Sequence, residues 1–246
     1  VQSDPAALER LVLAADLPPD SLVLDAGCGP GLVSAALLGA GHRVVGVDLS
    51  HEMIARARTR CGSFGDRARF EVASLYDPSL AGPFDAAISR YVLHHMTDPL
   101  AFVRRQAAML RPGGVLVLCD HTTDPVPERA AIHQELERAR DRTHTNNPTP
   151  GALADLFARA GLGPIRLVEE AFTIDFDEWF DRGTPATPKA EVRARLLASP
   201  PIRGFRPTLL PDGSVRIDCW RATARGVAPA DEGPRSQSPG GGSRPA

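Results

Sequence analysis

Short apolar runs alternate with stretches of helical spacing along the first half of the chain. Residues 5–16 put Leu8, Leu11, Val12 and Ala15 on one helical face, with Asp4 as N-cap before Pro5, and Pro18-Pro19 ends that helix. Residues 22–24 form a run suited to a buried parallel strand, and 32–38 a helix stopped by Gly39 and Gly41. The alternation repeats with a strand at 43–48 and a helix at 52–61 behind Ser50, then strands at 69–73 and 83–90. Asp98 and Pro99 start a helix over 100–110, and a turn leads into a fifth strand ending at Asp120. This order predicts an α/β domain whose mostly parallel sheet carries helices on both faces.

The second half breaks the rhythm. Residues 128–142 read as a charged amphipathic helix, followed by a polar connector to Pro150 and a compact helix over 151–160. Residues 164–176 alternate like a strand, and Asp177-Glu-Trp-Phe180 opens a helical insertion that includes 191–198. Residues 205–210 and 214–223 flank Pro211-Asp-Gly213 as a hairpin, so the sheet is expected to end in antiparallel strands. Residues 226–246, rich in Gly, Pro and Ser, predict a mobile tail, leaving 1–225 as a single domain.

Composition changes this picture little but excludes some classes. The 246 residues are 43% hydrophobic and 24% charged with a net charge of -2, which disfavours nucleic acid and anionic membrane as partners. No apolar run reaches the length of a membrane span, and the N-terminus lacks the form of a signal peptide. Cys28, Cys61, Cys119 and Cys219 are scattered without C-x-x-C spacing, which argues against a metal site or disulfide framework and fits a reducing cytoplasm. Richness in Ala, Arg, Gly and Pro suggests a high-GC bacterium and a place in secondary metabolism.

The candidate chemistry begins at the loop after the first strand, where Asp25 precedes Gly27, Gly29 and Gly31. Three glycines in five residues between a strand and a helix let a small ligand lie against backbone. A dinucleotide-binding loop needs G-x-G-x-x-G; here the third glycine comes one residue early and Pro30 fills the gap, which disfavours a nicotinamide dehydrogenase. Val23-Leu-Asp-Ala-Gly-Cys-Gly-Pro-Gly31 instead resembles the first motif of the class I S-adenosylmethionine-dependent methyltransferases. Tyr91-Val-Leu-His-His-Met-Thr-Asp-Pro99 and Leu110-Arg-Pro-Gly-Gly114 are similar to later motifs of the small-molecule branch, including the quinone-biosynthesis C-methyltransferase type.

The resemblance implies a Rossmann-like, doubly wound, seven-stranded sheet with an antiparallel end. It also implies S-adenosyl-L-methionine as cofactor and S-adenosyl-L-homocysteine as product. Asp25, Gly27, Cys28, Gly29 and Gly31 would hold the amino-acid end, and Asp48 at the end of the second strand would accept from the ribose hydroxyls. Leu49, Met53, Ser74 and Leu75 would line the adenosine end, with Arg90 a donor to the cofactor carboxylate. Ser74 departs from the family pattern, which often has an acid there to bind the adenine amino group; Asp77 is the next acid along. The segments 121–149 and 177–203 are expected as lid and substrate-side insertions.

The expected reaction moves a methyl group to O, N or C of a small organic molecule. A base is needed where the acceptor is a phenol, hydroxyl or acidic carbon, and His94, His95, His121 and His144 are the histidines near the expected rim. His95 is the first choice and His144 the second. Phe172, Phe176, Trp179 and Phe180 are candidates for the acceptor pocket. A small-molecule substrate and a homodimer are the expected partners. A non-methylating rearrangement on the same cofactor and a non-catalytic cofactor-binding role are the alternatives.

Overall fold

The computed structural model describes residues 4–77, 79–80 and 82–230. Its first half follows the apolar pattern closely. Asp4 caps α1 (Pro5–Ala15), accepting from Ala6 N, and Ser50 caps α3 (His51–Cys61), accepting from Met53 N. Between them come β1 (Leu22–Ala26), α2 (Leu32–Gly39) and β2 (Arg43–Asp48). Then follow β3 (Ala68–Val72), β4 (Phe84–Arg90), α4 (Pro99–Ala107) and β5 (Leu110–His121). The second half consists of α5 (Pro127–Arg140), α6 (Pro150–Arg159), β6 (Arg166–Asp175), α7 (Phe176–Asp181), α8 (Lys189–Leu197), β7 (Phe205–Leu209) and β8 (Val215–Val227).

The strands form one sheet in the order β3-β2-β1-β4-β5-β8-β6. β1 to β5 are parallel, and β6 and β8 form the antiparallel end. An eighth strand lies off this path of seven. β5 pairs with residues 221–227 of β8, and β7 pairs with residues 215–219 on the side of β8 opposite β6. Thus β7 takes up the line of β5 beyond its carboxyl end. The hairpin joining β7 to β8 turns at Gly213, whose φ is 85°. β8 runs to Val227, two residues into the segment expected to be tail; residues 231–246 of that expectation lie outside the described residues.

Strand alternation divides the parallel half into two cores. Leu24, Leu116 and Leu118 face α4 and α6 with Phe102 and Phe157, whereas Val23, Val115 and Val117 face α1, α2 and α3 with Leu11, Leu37 and Ile54. A third cluster is separate. It joins Leu136 of α5, Trp179 and Phe180 of α7, Val192 and Leu196 of α8, and Phe205 and Ile217 of the distal sheet. The two segments expected as lid and insertion therefore pack on each other beside the carboxyl ends of β4 and β5.

Candidate active site

Four strand ends and the glycine loop enclose a cavity of about 380 Å³. The loop is tied to the end of β2, because Gly27 N and Cys28 N both donate to Val47 O, at 2.9 and 3.0 Å. Gly29 N donates to Asp48 Oδ2 and Ser50 N to Oδ1, each at 2.9 Å. Each oxygen of Asp48 thus holds one backbone N–H and keeps capacity for a second donor, as two ribose hydroxyls require. Asp25 lies beneath the loop, accepting from Ser34 Oγ at 2.6 Å, and burial pushes its pKa up to about 6.

The glycines divide by function. Gly27 has φ 76°, and a Cβ there would lie 2.6 Å from Val92 Cγ2, so both conformation and space demand glycine. Gly29 (φ 51°) has nothing within 4 Å and borders the cavity. Gly31 does not border it: a Cβ there would meet the backbone of Ala57 at 3.0 Å, so this glycine lets α3 pack against the start of α2. We expect Gly27→Ala to cost more than Gly29→Ala in urea unfolding. The left-handed backbone costs each about 1–2 kcal/mol, and overpacking adds about 1–3 kcal/mol at Gly27 alone. Adding Val92→Ala should recover only the overpacking part; no recovery would show the clash to be unimportant.

Of the expected cofactor residues, Asp25, Gly27, Cys28, Gly29, Asp48, Leu49, Ser74, Leu75 and Arg90 border the cavity. Met53, like Gly31, does not; it sits in the first turn of α3, where its backbone N–H meets the Ser50 cap. Asp77 is also turned away, with its Oδ1 accepting from Ser79 N and Ser79 Oγ. Tyr91 and Met96 border the cavity without having been singled out in the sequence. Tyr91 is non-glycine at φ 60°, an uncommon backbone state that collects at functional sites. Its ring lies beneath Arg90 (4.5 Å to the centroid) and stacks on His121 at 4.5 Å, while Arg221 Nη1 donates to its hydroxyl at 3.1 Å.

A second cavity of about 100 Å³ adjoins the first, with Tyr91 and His95 bordering both. Its other walls include His94, His121, His133, Glu137, Phe172, Trp179 and Phe205. Of the four aromatics expected to line an acceptor pocket, Phe172 and Trp179 border this second cavity, whereas Phe176 and Phe180 border neither cavity and pack with Trp179 in the third cluster. Glu137 is buried; burial alone would raise its pKa, but the Arg140 guanidinium and the His133 ring 3.5 Å away hold it well below the usual carboxylate range. Arg140 donates through Nη2 to Glu137 Oε2 at 2.9 Å and through Nη1 to Trp179 O at 3.1 Å, clasping α5 to α7.

The adjacent histidines sit with ring centroids 4.1 Å apart, yet their environments oppose each other. His94 Nδ1 donates to Asp120 Oδ1 at 2.7 Å; burial lowers its basicity, but the Asp120 carboxylate overrides this and its pKa is raised. His95 has its pKa lowered by burial and by the neighbouring His94. Its Nδ1 faces the carbonyl of Thr143 at 3.1 Å and the Thr143 hydroxyl at 3.0 Å; that hydroxyl already donates to Asp141 Oδ1 at 2.8 Å, so both oxygens accept, Nδ1 carries the proton and Nε2 the lone pair. Asp120, at the carboxyl end of β5, was not singled out in the sequence. The acidic residue directly after the buried run 115–119, at a strand end where α/β sheets bind ligands, is the signal that would have found it.

His144 is not at the site, contrary to the expectation of a second base. It borders neither cavity, is buried, and donates from Nε2 to Gln134 Oε1 at 2.7 Å. Burial pushes its pKa down to about 4, and that of His121 to about 3. Such histidines stabilise the fold above pH 6.5 and lose that contribution as pH falls toward the folded value, because the unfolded chain takes up the proton first. Asp25, raised to about 6, acts in the opposite direction over pH 6 to 4 and partly offsets them. We therefore expect the stability difference between wild type and His144→Gln to shrink by roughly 3 kcal/mol between pH 6.5 and 4. Urea midpoints across that range measure it, and parallel curves would show that His144 titrates normally.

Among the described residues no group of His, Cys, Asp and Glu is arranged to hold a metal ion, and no helix is long and apolar enough to cross a membrane. All four cysteines are buried free thiols.

The left-handed glycines, Asp25 beneath them and Asp48 at the end of β2 lie together at the carboxyl ends of the parallel strands, on the sheet of a class I methyltransferase fold. The chain belongs to that family, since the model of a methyltransferase domain matches residues 3–167. It is 35% identical over 116 residues to the ubiquinone biosynthesis O-methyltransferase of Xanthomonas campestris pv. campestris (strain B100), covering 46% of this chain. The chain spans 48% of that relative, about half its length. It is 28% identical over 194 residues to the uncharacterized methyltransferase YcgJ of Bacillus subtilis (strain 168), covering 77% of this chain and 76% of YcgJ. The YcgJ crystal structure superposes with a TM-score of 0.81 at 23% identity, over 91% of this chain and 98% of that one. The putative methyltransferase BH2331 of Bacillus halodurans C-125 gives 0.79 at 21%, over 92% and 100%. These structural likenesses show the fold. The quinone-biosynthesis relative is an O-methyltransferase, so the expected C-methyltransferase type is not supported.

Proposed function

We propose that this protein transfers the methyl group of S-adenosylmethionine to an oxygen, nitrogen or carbon atom of a small organic molecule held in the second cavity. The observation that carries the reading is the junction: Tyr91 and His95 border both the cofactor cavity and the histidine-lined cavity beside it. The Ala-, Arg-, Gly- and Pro-rich composition supports a place in bacterial secondary metabolism.

The residues fit the cofactor. Asp48 would take the ribose hydroxyls, the loop from Gly27 to Gly29 the amino-acid portion, and Arg90 the carboxylate. Bound there, S-adenosylmethionine supplies a methyl group already activated on its sulfonium. The chain's own task is to align the acceptor, exclude water and manage one proton. Two neighbouring groups with pKa values pushed apart assign themselves roles: His95 is the base, taking the acceptor's proton on Nε2, and His94, held by Asp120, is the more basic partner that keeps its own proton longer as pH rises.

The test is incubation with S-adenosylmethionine labelled in its methyl group and a panel of small phenols, amines and enolisable ketones. The expected product carries the labelled methyl and gains the mass of one CH2 over the acceptor. A product without that gain would overturn methyl transfer in favour of a rearrangement, and cofactor binding with no product from any acceptor class would favour a non-catalytic role.

A further inference from the structure

Among the described residues, the part of the cavity bordered by Leu49, Ser74, Leu75 and Tyr76, where adenine is expected, carries no acid. Ser74 stands where the resemblance places one, and its hydroxyl oxygen accepts from Tyr76 N at 3.2 Å. Asp77 is occupied with Ser79 and does not border the cavity. The loop carbonyls are turned elsewhere too. Arg105 donates through Nε to Leu75 O at 2.9 Å and through Nη2 to Asp77 O and Leu80 O at 3.1 and 2.8 Å. Ser74 O accepts from Asp77 N at 2.9 Å. What the cavity presents instead is apolar: Leu49 is 75% exposed and Tyr76 51%, and both border it.

We infer that this chain grips the purine of its cofactor between Leu49 and Tyr76, with the Ser74 hydroxyl at the edge, and does not select the 6-amino group. The inference rests on the methyltransferase reading, because it concerns the same cavity. An ionised carboxylate only accepts hydrogen bonds, so it favours a 6-amino purine and repels a 6-oxo one. A hydroxyl rotates, accepting from an amine or donating to a carbonyl oxygen. Stacking on a tyrosine tolerates either, since every base has a π-face. The replacement of acid by serine therefore trades selectivity for tolerance at the 6-position and at the adjoining N1, which accepts in the 6-amino purine and donates in the 6-oxo one, because the same hydroxyl pairs with either.

Calorimetric titration of the 246-residue chain with S-adenosylhomocysteine and with S-inosylhomocysteine, its 6-oxo analogue, tests this. The two Kd values are expected within about threefold of each other. Ser74→Asp should tighten the adenosyl compound and weaken the inosyl one, opening a gap of about 100-fold. Tyr76→Ala should weaken both by about tenfold while Tyr76→Phe changes neither. A wild-type preference for the adenosyl compound of about tenfold or more overturns the inference and leaves the methyltransferase reading standing. Unchanged binding in Tyr76→Ala overturns the grip. Binding of neither compound overturns the methyltransferase reading itself, and the inference with it.

Discussion

Replacing His95 with glutamine lowers kcat by about 100- to 10,000-fold, the usual worth of a positioned general base. Glutamine keeps a donor for the Thr143 carbonyl but offers no basic nitrogen to the acceptor. The Kd for S-adenosylhomocysteine should stay within about twofold, because the loss falls on the chemical step. Single-turnover methyl transfer to an acceptor from the labelled screen, set beside cofactor titration, measures both. The pH profile adds a second reading. Burial and His94 lower the His95 pKa, so the base stays deprotonated to a pH below the ordinary histidine value and the acid limb of kcat/KM lies below it. His94→Gln removes the adjacent positive charge, so the His95 pKa rises and the acid limb moves to higher pH. Unchanged kcat in His95→Gln would show that the proton leaves by another route.

Replacing Asp48 with alanine raises the Kd for S-adenosylhomocysteine by about 100-fold or more. Hydrogen bonds to a charged group contribute about 1.5–3 kcal/mol each, and the ribose offers two hydroxyls. The same carboxylate holds Gly29 N and Ser50 N, so its removal also frees the glycine loop from the end of β2. Asp48→Asn keeps one acceptor oxygen and should fall between, with a Kd raised about tenfold. Calorimetry on the three proteins decides the matter, since an alanine variant within about fivefold of wild type would remove Asp48 from the ribose contact.

Much of this architecture was legible because it rests on local rules. The caps Asp4, Ser50 and Asp98 and the run 22–24 with its glycines each report their own surroundings. So does Asp48, where a strand end and an acid coincide. What stayed hidden depends on which partner a residue meets. Gly31 shares a motif with Gly27, but its space is claimed by Ala57 of a later helix. His144 lies in a polar connector that reads as exposed, yet Gln134 draws it into the interior. Phe176 and Phe180 look like pocket aromatics because spacing reports burial without saying whether the neighbour is cavity or core. The β7–β8 hairpin was legible, but the placement of β7 in line with β5 was out of reach, since a hairpin fixes its own register and not what lies end to end with it.

The change of neighbour along β8 has a wider consequence. Residues 221–227 of that strand pair with β5 in the half that carries the glycine loop, and residues 215–219 pair with β7 in the half that walls the second cavity. The apolar cluster under α5, α7 and α8 is separate from the two cores of the parallel sheet. Mutations within that third cluster are therefore expected to leave the packing beneath the glycine loop unchanged. The segment that builds this wall leaves the parallel sheet after His121 and returns to it at the crossing between Cys219 and Arg221, so a chimera joined at both points exchanges the wall of the second cavity, with α6 and β6, and keeps the glycine loop and the five parallel strands of the first parent.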